Sequence, residues 1–82
     1  MEGFKPIRGM KIKAYGKRAT ILYVHRNDEF LVGFDESWRD GHDGDYSCTR
    51  GYVPSRYAEN NRCWWTSNNE VQEILTNKLE VL

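Results

Sequence analysis

The chain has 82 residues, a formal net charge of zero and 13% Trp, Tyr and Phe, which is enough for one domain spanning 1–82 and no more. The charge balance argues against a general nucleic-acid coat, which needs a basic excess. No run approaches the roughly 20 apolar residues of a membrane span, and no apolar leader is read at the N-terminus, so a cytoplasmic protein with its two cysteines, Cys48 and Cys63, as free thiols is expected.

Residues 1–9, punctuated by Pro6 and Gly9, read as a lead-in. From Met10 to Tyr15 apolar and polar residues alternate, with Lys11, Lys13 and Tyr15 on one side. That period of two predicts a half-buried strand. Ala19–His25 is β-branched and aromatic and predicts a second strand. Asn27-Asp28 supplies turn chemistry, and Glu29–Asp35 predicts a third strand with Phe30, Val32 and Phe34 on one face. Gly33 inside that strand signals a bend or a close approach of other groups.

Residues 36–61 form a long stretch rich in Gly, Asp, Ser and Asn. Its aromatic content argues against disorder, so an ordered, folded-back loop is expected. Arg62–Thr66 reads as a short strand. Ser67 and Glu70 match a capping box for one helical turn. Val71, Ile74, Leu75 and Leu79 fit a helix face, but residues 71–82 also suit a strand; one turn and then a closing strand is the expectation. Trp64 and Trp65 must point to opposite strand faces, and Trp65, sharing a face with Cys63, is the expected core residue.

This order of elements resembles a small, mainly β, SH3-like barrel of about five strands with a long ordered loop and one short helical turn. Within that class it is similar to a group of small bacteriophage and prophage proteins. The resemblance rests on Leu31-Val32-Gly33-Phe34-Asp35, then Gly41-His42-Asp43-Gly44, then Cys63-Trp64-Trp65. The insert Asp45–Arg62 departs from that pattern. The resemblance implies a phage-encoded binding protein in the host cytoplasm, facing a host defence or regulatory component. It implies no catalytic mechanism.

Chemistry-bearing residues are few. His42, Cys48 and Cys63 lack the close pairing typical of zinc ligands, so no metal and no cofactor are expected. Asp40, Asp43 and Asp45 lack the spacing of a calcium loop. No nucleophile elbow surrounds Cys or Ser, and so small a barrel has little room for a pocket, so no enzyme is expected.

The loop instead interleaves rings and cations. Trp38, Arg39, His42, Tyr46, Arg50, Tyr52, Arg56, Tyr57 and Arg62 are the candidate partner-binding residues. Tyr, Trp and Arg are the types enriched in binding hot spots. The expected partner is a host protein. A nucleotide or nucleic acid is the alternative, served by the same rings and by Lys11, Lys13, Lys17 and Arg18. No membrane contact is expected. Monomer and homodimer both remain open.

Overall fold

A computed structural model describes residues 3–26 and 28–76. The fold is mainly β. Five strands, β1 (Lys11–Ala14), β2 (Lys17–Arg26), β3 (Glu29–Phe34), β4 (Cys63–Thr66) and β5 (Val71–Thr76), form one antiparallel sheet in the order β4-β3-β2-β1-β5. A helical turn, α1 (Ser55–Ala58), lies in the long loop, and a 3-10 turn (Asn68–Glu70) precedes β5. The sheet curls into a small barrel-like body. Its closure shows at the Tyr15 and Thr66 hydroxyls, from the turn after β1 and the end of β4, which share a hydrogen bond of 2.8 Å although β1 and β4 are not neighbours.

The β1–β2 connection corrects the expected first strand. Tyr15 is not its last outward residue but the first residue of a two-residue turn, at φ 56°, followed by Gly16 at φ 72°. Two successive positive φ values make a hairpin turn whose twist suits the strands it joins. The turn swings the Tyr15 ring onto the core, edge-on to Phe34 at 6.3 Å and to Trp38 at 5.2 Å. Register across the hairpin pairs Lys13 with Arg18 and Ala14 with Lys17.

Two clusters bury apolar surface on the two faces of the sheet. The larger contains Phe4, Met10, Ile12, Ile21, Phe30, Val32, Phe34 and Val71. The smaller is Leu22, Leu31, Tyr57 and Cys63. β3 is therefore covered on both faces, and Phe30 through Phe34 are all buried. Strands buried on both sides lose the alternation of a half-buried one. The cover on the second face is the loop itself. Tyr57 on α1 lies over Gly33, where an added Cβ would sit 2.5 Å from the ring. The close approach signalled by that glycine is thus Tyr57, whose hydroxyl also donates to Thr20 Oγ1 at 3.3 Å.

Local chemistry folds the loop. Thr49 is fully buried; its hydroxyl donates to the Gly44 carbonyl and accepts from the Tyr46 N–H at 3.1 Å. Pro54, at φ −61°, enters α1. Asn61, at φ 51°, ends it, with the Arg62 N–H returning to the Tyr57 carbonyl at 3.0 Å. A left-handed residue after the last turn is a common helix stop. α1 is a second helical turn beyond the one expected.

At the other turn, Ser67 makes no side-chain cap; the Glu70 N–H instead donates to the Ser67 carbonyl at 3.1 Å. Val71–Thr76 is strand, as the closing-strand reading had it. The expectations for Leu79 to Leu82, and for Asn27 in the second turn, lie outside the described residues.

Candidate functional site

β4 is the edge of the sheet, and the loop wraps that edge. His42 and Cys63 exchange both backbone hydrogen bonds at 3.0 Å, an isolated antiparallel bridge on the free side of β4. The bridge sets the rings of the loop against the two tryptophans of β4. Both tryptophans are half-buried. Trp64 packs on the larger core cluster, and Trp65 packs on the smaller one with Cys63. Trp65 does share the Cys63 face, but neither indole is a fully buried core residue, because their outer edges face the loop rather than a second sheet.

The result is a continuous run of rings around the edge. Phe34 stacks on Trp38 at 4.6 Å, and Trp38 stacks on Trp64 at 5.3 Å. His42 lies 6.2 Å from Trp64 and stands edge-on to Tyr46 at 5.2 Å. Tyr46 reaches Trp65 at 5.9 Å, and Trp65 meets Tyr23 and His25 at 6.4 and 6.3 Å. Tyr23 ends the run against Tyr52 at 5.0 Å. His42, Tyr46, Trp64 and Trp65 together line an open groove of about 250 Å³. Tyr46 and Tyr52 are each 45% exposed, so rings face solvent along the run.

The two ends carry cations. Lys17 Nζ lies 5.7 Å from the Trp38 ring, and Arg8 Cζ lies 5.2 Å from the Tyr52 ring. The Arg8 Nε also donates to the Leu22 carbonyl at 2.9 Å. Lys17 therefore leaves the basic stripe expected with Lys11, Lys13 and Arg18 and turns to the opposite side.

Electrostatics within the run are modest. Burial pulls the His42 pKa below its ordinary value of 6.5, against a smaller upward pull from Asp43. His42 Nδ1 accepts the Gly44 N–H at 3.1 Å, which only the neutral ring can do. Burial, then the Asp43 charge, pushes the Cys63 thiol up to about 12, leaving it protonated and inert. Cys48 is exposed. Among the described residues, no three His, Cys, Asp or Glu side chains come together as metal ligands. No helix among them is long and apolar enough to cross a membrane.

No protein-family model, curated protein or solved structure matches this chain.

Of the residues expected to meet a partner, the fold brings together Trp38, His42, Tyr46 and Tyr52. Tyr57 is corrected: it is 3% exposed and forms part of the core, because it fills the space over Gly33. Arg56 lies over that buried ring at 4.9 Å, on α1. Arg62 is half-buried, and its Nε has no hydrogen-bond partner among the described residues. Arg39 extends into solvent, 3.8 Å from its neighbour Asp40. Arg50 lines a separate concavity with Asp43 and Asp45. The cations that cap the ends of the run thus come from the lead-in and the first hairpin, outside the loop. Tyr23 and His25 complete the run and were not among the expected residues. Their spacing of two on β2 places them on one face, a signal present in the sequence.

Proposed function

We propose that this chain is a non-catalytic binding protein that meets a protein partner on the ring surface wrapped around β4. The observation that carries this reading is the unbroken run from Trp38 to Tyr52, with Tyr46 and Tyr52 each 45% exposed. Rigid aromatic side chains supply contact area at little entropic cost and dominate binding hot spots. The setting belongs to the same proposal: a phage-encoded protein acting in the host cytoplasm on a defence or regulatory component.

The surface differs from the loop-only contact expected from sequence. It takes Trp64, Trp65 and Tyr23 from the sheet and leaves Tyr57 inside. A second reading, a nucleotide or single-stranded nucleic acid stacked on the rings, draws support from Arg8 and Lys17 at the ends. Against it stand the carboxylates of Asp28, Glu29 and Glu70, which line a concavity with Trp65.

Affinity capture from nuclease-treated lysate with the wild-type chain and a Tyr46→Ala/Tyr52→Ala variant tests the proposal. A protein partner retained by the first and lost by the second is expected. Capture abolished by nuclease, or equal for both chains, contradicts it.

A further inference from the structure

The chain's own cations cap the two ends of the ring run, and among the described residues none caps its middle. Lys17 covers Trp38 and Arg8 covers Tyr52. Between them, the groove of His42, Tyr46, Trp64 and Trp65 is open to solvent. The ends therefore show, within this molecule, what its rings accept: ammonium and guanidinium groups over their faces.

Carboxylates flank the open middle. Asp43 follows His42 and its charge acts on that ring, while with Asp45 it also lines a separate concavity that holds Arg50. Beyond Trp65 the surface continues into a concavity lined by Asp28, Glu29 and Glu70. Of these, Glu29 is engaged only at 4.0 Å, by His25. Residues 28–45 carry seven carboxylates against Arg39 alone. Aromatic faces rimmed by negative charge attract a cation and repel a phosphate.

We infer that the groove between Tyr46 and Trp65 receives a Lys- or Arg-bearing extended segment of the partner, its cationic side chains laid on the rings and its charge met by Asp43 beside His42 and by Asp28, Glu29 and Glu70 beyond Trp65. The inference rests on the ring surface being the docking surface. A peptide suits the site better than an enclosed small cation, because the groove opens at both sides onto further rings, Trp38 on one and Tyr23 on the other.

The test is selection of a random peptide library on the purified full-length chain, followed by titration of the selected peptides against variants. Tyr46→Ala removes an exposed ring. Asp43→Asn removes charge and keeps the Oδ1 acceptor for the Asp45 N–H. Enrichment of Lys and Arg is expected, with binding weakened roughly tenfold in each variant and thermal stability retained. Acidic or uncharged peptides that depend on Tyr46 would overturn the basic-segment inference and leave the surface standing. Peptides indifferent to Tyr46, or no enrichment at all, would overturn both. Tighter binding of oligothymidylate than of any selected peptide would also overturn the inference.

Discussion

Trp38 and Trp64 lie nearly parallel, with 14° between their planes and 5.3 Å between ring centroids. One comes from the loop and the other from β4, and Phe34 of β3 closes the stack from the other side of Trp38. The loop is thus fastened to the sheet at the point where it begins to wrap the edge. Trp38→Ala should lower stability by about 2–4 kcal/mol, since it empties a half-buried aromatic site. Arg39→Ala, next in the chain but exposed, should stay within about 0.5 kcal/mol of wild type. Urea denaturation of the two variants checks the contrast.

Gly33 and Tyr57 are coupled by a lack of space. A methyl group on Gly33 would press into the buried Tyr57 ring, and overpacking of this kind costs about 1–3 kcal/mol. Tyr57→Leu shrinks the group that the added methyl would strike. Gly33→Ala and Tyr57→Leu should each destabilise, and the double variant should lose less than the sum of the two. Strict additivity in a double-mutant cycle would contradict the close contact.

His42 links stability to pH. Its folded pKa lies below the ordinary 6.5, so the unfolded chain binds the proton more readily. Protonation therefore favours unfolding. The contribution is intact above the ordinary value and is lost as pH falls through 6.5 towards the lower folded value. His42→Asn keeps an acceptor for the Gly44 N–H and removes the titration. The melting temperature of the wild type should fall more steeply than that of His42→Asn between neutral and mildly acidic pH. Parallel profiles would show that His42 is not the cause.

The thiols should separate by reactivity. Cys48 is exposed, whereas Cys63 is buried and its pKa is pushed up to about 12. A thiol reagent at neutral pH should modify Cys48 in the native protein and reach Cys63 only after denaturation. Rapid native labelling of both would mean that the cover of loop and α1 over Cys63 opens readily.

Much of the fold was legible because its strands carry strong local signals. Alternation marked β1, β-branched and aromatic residues marked β2, and Gly33 announced a close neighbour. Tyr15 was not legible: a tyrosine at positive φ is rare, and alternation alone put it at the end of the strand. The inward place of Tyr57 was hidden for a different reason. The second buried face of β3 shows as a continuous apolar run, Phe30 to Phe34, but nothing local says that α1 is what covers it. The binding surface was half legible. The rings of the loop stood out by composition, while their continuation through Trp64, Trp65 and Tyr23 depends on the His42–Cys63 bridge, a contact between distant parts of the chain.

The central claim is that a partner docks on the rings around β4, and the affinity of the captured partner for Trp65→Ala measures it most directly. Trp65 is half-buried on the smaller cluster, so its loss should cost about 2 kcal/mol of stability and leave the domain folded. Affinity reduced at least roughly tenfold, with the melting transition still cooperative, is the predicted result. Wild-type affinity in a folded Trp65→Ala chain would place the docking surface elsewhere.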